Sequence, residues 1–144
     1  MEAGYPLLTR MAVPPGVIEV YPHPALVELA GAPERLRYKA SKVRTYWRQA
    51  TAPERRDRLY REWTRIVALL ERQIEGVATA LTTPGPGASG LEIKAYEDTL
   101  DAVVSAWVAV CALEGRAVAF GDDSAAIWIP SAGGGDLMSG FHEQ

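Results

Sequence analysis

Cysteine is almost missing from this chain. A single one, Cys111, in 144 residues excludes an internal disulfide framework and a cysteine-rich zinc site. It also points to a reducing, cytoplasmic location. Long apolar runs are missing too. The longest candidate, Ala102 to Leu113, is interrupted by Ser105 and falls short of the ~18 residues that a spanning helix requires. No membrane association is expected. No basic start followed by an apolar stretch opens the chain, so no secretory signal is read there. No internal repeat is visible.

What remains is enough for one domain with a single sizeable core: 144 residues, of which 48% are hydrophobic. The net charge of −3 conceals a strong asymmetry. Residues 34–72 hold twelve of the fifteen basic residues and five acids, a net +7, which leaves −10 for the rest. Two readings of this basic segment stay open. It is a solvated helix face laced with i,i+4 ion pairs, or it is a surface that holds the phosphates of a polyanion.

Residues 1–15 read as an irregular N-terminal segment, with Pro6, Pro14 and Pro15. Gly16 to Tyr21 alternates, is rich in β-branched residues and predicts a strand. Pro22 and Pro24 end it, and Ala25 to Ala30 predicts a short helix closed by Gly31. The basic stretch Ala32 to Gln49 predicts a short helix and a connection. Thr51 and Glu54 then form a capping-box pair with Pro53 in the first turn. Leu59, Trp63, Ile66, Leu70, Ile74, Val77 and Leu81 continue from it as one apolar stripe. The Pro/Gly-rich stretch Thr82 to Ser89 is a loop. Ser89 and Glu92 make a second capping box for a helix from about Leu91 to about Leu113. The second half of that helix is apolar nearly all round, which predicts burial on most faces. Val118 to Phe120 and Ala126 to Ile129 predict a hairpin around Gly121-Asp122-Asp123-Ser124. Residues 131–144, with Gly133-Gly134-Gly135, are expected to be a disordered tail.

Three acids stand out. Glu19 lies in the middle of the first strand, and Asp98 and Asp101 share one face of the last helix. Acids on apolar elements are costly unless compensated, and a divalent metal is one compensation. Each has a plainer reading as well. Glu19 can face solvent, Lys94 can pair with Asp98 four residues on, and Glu97 adds a third acid to that turn. His23, between two prolines, is either an auxiliary ligand or acid/base group or a rigid turn element. Cys111, Trp63 and Trp107 read as core. Tyr38 and Trp47, inside the basic segment, can pack as core or stack on bases.

Taken in order, these segments resemble a known family. They are V-I-E-V-Y-P-H-P-A-L around Glu19, E-R-L-R-Y-K at Glu34–Lys39 and E-D-T-L-D-A-V-V-S-A-W at Glu97–Trp107. A-L-E-G-R-A-V-A-F-G-D and A-I-W-I-P follow. Over residues 16–130 the chain resembles the C-terminal half of the DUF429 family, the predicted nucleases with a ribonuclease H-like fold and a RuvC-like carboxylate pattern. The resemblance implies an α/β domain with one central strand, two long helices and a C-terminal β-hairpin, without the three N-terminal strands of that fold.

The resemblance also implies a site. Glu19 matches the family's fourth-strand acid, and Asp98 and Asp101 match its late-helix pair. These three would be the catalytic, metal-binding residues, with Mg²⁺ or Mn²⁺ as cofactor and phosphodiester hydrolysis as the reaction. Arg35, Arg37, Lys39 and Lys42 would hold nucleic acid. The first-strand aspartate should precede Glu19, yet only eighteen residues do, and Glu2 is the one acid among them. A truncated, weakly active or inactive nuclease is therefore expected. Its uncovered strand would be met by a second copy or by a complementing chain. The alternative is a non-catalytic protein, derived from such a nuclease, that dimerises or binds a partner.

Overall fold

The computed structural model describes residues 16–122 and 124–131. The expected irregular N-terminal segment and the tail from 132 onward lie outside the described residues. Within them, five helices and a two-stranded antiparallel sheet make a mixed α/β arrangement. It contains the two long helices and the C-terminal hairpin expected from sequence.

The first helix, α1 (Pro22–Ala30), begins three residues earlier than expected. Pro22 occupies its first turn, where a missing N–H costs nothing and the fixed φ suits the helix. Gly31 ends it in the left-handed conformation, and Ala32 N–H returns to Val27 O at 3.1 Å. A 3₁₀ turn (Ala40–Lys42) and the single-turn α2 (Val43–Tyr46) follow. The long α3 (Ala52–Glu71) opens on the predicted capping box. Thr51 N–H donates to Glu54 Oε2 at 2.6 Å, and Glu54 N–H donates to Thr51 Oγ1.

The apolar stripe predicted through Leu81 is not one helix. It breaks after Glu71, and a one-turn α4 (Val77–Ala80) follows. The Glu71 carboxylate accepts hydrogen bonds from Gly76 N–H and Ala78 N–H at 3.1 and 2.9 Å, satisfying amides at the start of α4. Gly76, with φ of 93°, makes the reversal between them.

The longest helix, α5 (Gly90–Leu113), has the second capping box, Ser89 with Glu92. It buries Ile93, Leu100, Val104, Trp107, Val108 and Cys111 along one stripe. Its second half is not covered on most faces, because Ala102, Ala106, Val110 and Leu113 stay exposed. The hairpin pairs β1 (Ala117–Gly121) with β2 (Ala126–Pro130) in the register Val118 to Ile129 and Phe120 to Ile127. Gly121 is required at its tip: φ is 150°, and a Cβ there would sit 2.0 Å from Ala125 O.

The expected strand at Gly16–Tyr21 contracts to a single parallel bridge between Glu19 and Ile127. Trp128 N–H donates to Glu19 O at 3.0 Å. One core joins these parts. α1 packs on α3, α5 and β2. Between α3 and α5 runs an aromatic stack in which Trp63 lies between Tyr60 and Tyr96, with centroids at 5.6 and 4.8 Å.

Candidate functional site: a basic cleft over a buried ion network

The segment Leu36–Lys42 has little regular structure of its own, so side chains from two helices fix it. From α3, Trp63 Nε1 donates to Tyr38 O at 2.8 Å. From α5, Glu97 Oε2 accepts the Ala40 N–H at 2.7 Å, and Asp101 Oδ1 accepts the Tyr38 hydroxyl at 2.9 Å. Lys39 Nζ lies between the two acids, 2.5 Å from Asp101 Oδ2 and 3.3 Å from Glu97 Oε1. Every oxygen of both carboxylates thus has a partner, as burial demands. The Glu97 side chain is only 5% exposed, and those of Lys39 and Asp101 are 24% and 23% exposed.

This network shapes the protonation of its members. Burial, joined by the Asp101 charge and its hydrogen bond, pushes the Tyr38 phenol far above its ordinary range. For Lys39, burial works against the charge. The hydrogen bond and the charges of Asp101 and Glu97 outweigh it and raise the ammonium above its ordinary value. His23 is pushed below its ordinary 6.5, chiefly by burial and then by Arg35 and Lys39.

Above the network opens a cleft of about 930 Å³. Arg35, Arg37, Lys39 and Lys42 all line it, as do Lys94, His23 and Glu97. Arg37 Nη1 donates to Tyr46 O at 3.3 Å. Arg35, Arg37 and Lys42 form no ion pair among the described residues. Their charge is available to an anion, in contrast to that of Lys39.

The three acids singled out from sequence fare differently. Asp101 joins the network. Asp98, with a side chain 60% exposed, faces outward and pairs with Lys94. Glu19 is exposed, is not part of the cleft lining and is held through its main chain. The structure does not bring Glu19, Asp98 and Asp101 together. Among the described residues, no group of three His, Cys, Asp or Glu side chains is placed to hold a metal ion. In this arrangement the Lys39 ammonium occupies the position between Glu97 and Asp101.

Glu97 is the residue that sequence reasoning passed over as a site member, and its signal was present. It falls on the buried stripe Ile93, Glu97, Leu100, Val104, four residues after one apolar position and three before the next. An acid on that stripe must be compensated, and it shares its face with Asp101 at i+4. The two candidate base-stacking aromatics are also relocated. Tyr38 is fully buried and Trp47 half-buried against the core. The aromatics lining the cleft are Tyr21 and Tyr46.

No curated protein and no solved structure matches the chain. The family model described as protein of unknown function (DUF429) matches residues 2–126. That span covers most of the sequence, and the chain belongs to the DUF429 family.

Proposed function

We propose that the cleft binds the phosphate backbone of a nucleic acid. One observation carries this reading. Arg35, Arg37 and Lys42 converge on one concave surface without acidic partners among the described residues, and the buried Glu97–Lys39–Asp101 network beneath holds their segment in place. Cations displaced from a polyanion on binding make affinity fall steeply with salt. Three to four phosphate contacts give a logarithmic slope of about −2 to −3 on a single strand. Fluorescence anisotropy between 50 and 200 mM salt tests it, with a loss of about 20- to 60-fold expected. Binding that is indifferent to salt, or to the combined change of Arg35, Arg37 and Lys42 to Ala, would refute it.

Metal-assisted phosphodiester hydrolysis, implied by the family resemblance, is the second reading. The observation that favours it is the position of Glu97 in the wall of the cleft, with Asp101 one turn further along α5. Mg²⁺ or Mn²⁺ would be the ion, and the dispersed acids predict weak turnover. Cleavage that requires either ion and disappears in Asp101→Asn supports this reading. Metal-independent binding without cleavage leaves the non-catalytic one. Homodimerisation is the remaining partner reading, supported by exposed Val118 and Phe120 on β1. Light scattering that shows a monomer removes it. A reducing, cytoplasmic setting suits the single buried Cys111.

A further inference from the structure

We infer that the cleft takes a nucleotide unit of a single strand, with a base stacked on Tyr21 and the adjoining phosphates on Arg35, Arg37 and Lys42. This rests on the backbone-binding reading and names its substrate class.

Size is the first argument. A cavity of about 930 Å³ is within the range of sites for small ligands, roughly 300–1,000 Å³. That is room for a nucleotide unit.

Tyr21 offers a fixed aromatic surface. The residue is 39% exposed and lines the cleft, although a tyrosine gains by burying its face. It is also held in place. His23 packs edge-on against it at 5.4 Å between centroids, and Tyr38, fully buried, packs edge-on against His23 at 5.2 Å. The Tyr21 ring is thus the outer member of an aromatic row anchored in the core. The Arg35 guanidinium stands 5.8 Å from its centroid. A fixed aromatic ring beside cations that make no ion pair among the described residues is an arrangement by which proteins hold unpaired nucleic acid. A base with a free face stacks on the ring, and the cations track the backbone. Bases inside a duplex have no such free face. The hydroxyls of Ser41 and Thr45, on the same lining, add neutral donors for sugar or phosphate oxygens.

The test compares four probes against the full chain by anisotropy or competition. They are a twelve-residue oligothymidine strand, the same length of abasic strand, a twelve-base-pair duplex and thymidine monophosphate. The abasic strand carries the same phosphates and no base. The oligothymidine is expected to bind about 10-fold or more tighter than the abasic strand and tighter than the duplex. Tyr21→Ala should lower its affinity by about 10-fold with the salt slope unchanged, and Tyr21→Phe should retain it. Equal binding of strand and abasic strand overturns the inference, as does a duplex that binds at least as tightly. Monophosphate that competes as well as the strand also overturns it, in favour of a free nucleotide. If all the long probes bind alike with a common salt slope, the inference falls and the backbone reading stands. If none binds, both fall. The abasic comparison uses the unaltered protein, so it decides the matter even where Tyr21→Ala does not fold.

Discussion

Replacing Lys39 with methionine tests the architecture most sharply. Methionine keeps the length and apolar stem of the side chain and removes only the ammonium. That ammonium is the charge between Asp101 Oδ2 at 2.5 Å and Glu97 Oε1 at 3.3 Å. Without it, Glu97, whose side chain is 5% exposed, keeps the Ala40 N–H and a distant Lys94 at 3.9 Å. Removing one partner of a fully buried pair costs about 3–5 kcal/mol, because the other charge is stranded. Here Lys39 and Asp101 are about a quarter exposed, and water takes up part of the loss. A cost of about 2–3 kcal/mol follows. For a chain of this size that corresponds to a fall in Tm of about 5–10 °C.

The assay is a thermal melt followed by circular dichroism, run as a cycle with Glu97→Gln. If the lysine and the glutamate act on each other, the double variant is more stable than the sum of the two losses predicts. The coupling should be about 1 kcal/mol or more. A Tm change under about 2 °C, or losses that simply add, would refute the claim that Lys39 is the counter-charge of this pair.

Two of the remaining predictions concern pH. His23 titrates below its ordinary 6.5 because of burial, Arg35 and Lys39, so the folded state favours the neutral ring. Stability from this group is present above about pH 6.5 and is lost as pH falls. His23→Gln should flatten the acid limb of a Tm–pH profile, and an unchanged limb would contradict the assignment. At the other end, burial and Asp101 raise Tyr38 above its ordinary 10.0, and its partners raise Lys39 above 10.5. Both contributions are complete below those ordinary values and are lost as pH rises past them. The Tm should therefore drop above about pH 10, with a smaller drop in Tyr38→Phe. Separately, Gly121→Ala forces a Cβ to within 2.0 Å of Ala125 O at a φ of 150°. It should destabilise the chain by about 2 kcal/mol or more, and a melt within experimental error of the parent would show that the hairpin tip is not as tight as described.

Local signals survived the passage from sequence to structure best. Both capping boxes, Thr51 with Glu54 and Ser89 with Glu92, were legible because every partner lies within four residues. The start of α5 followed from the second box, and its end falls just before Gly115, which takes a positive φ. The stripe from Leu59 to Leu81 was overextended because periodicity does not register where a side chain competes with the helix. Glu71 folds over to serve the amides of α4, and Gly76 reverses the chain. The Gly16–Tyr21 strand shrank to one bridge at Glu19 because strand length depends on distant partners. The cleft was half legible. The density of cations from Arg35 to Lys42 was visible, but their convergence was not. It depends on contacts such as Ala40 with Glu97, 57 residues apart.

The two neighbouring acids on α5 turn that lesson into a measurement. Sequence spacing paired Asp98 with Asp101 because residues three apart share a helix face. The pair that structure selects is Glu97 with Asp101, since only these point at the Lys39 segment. Side-chain exposure separates the neighbours, 5% for Glu97 against 60% for Asp98. Removing the charge of each by an isosteric change should therefore have unequal effects. Asp98→Asn loses only a solvent-screened pair with Lys94, and its Tm should stay within about 1 °C of the parent. Glu97→Gln keeps an oxygen for the Ala40 N–H but leaves Lys39 short of one counter-charge and puts an amide N–H₂ in its place. Its Tm should fall by several degrees, about as far as a buried charge-assisted hydrogen bond of ~1.5–3 kcal/mol dictates. Equal melts for the two variants, or a larger loss in Asp98→Asn, would mean that the acids of α5 act as the family pattern pairs them and not as the buried network does.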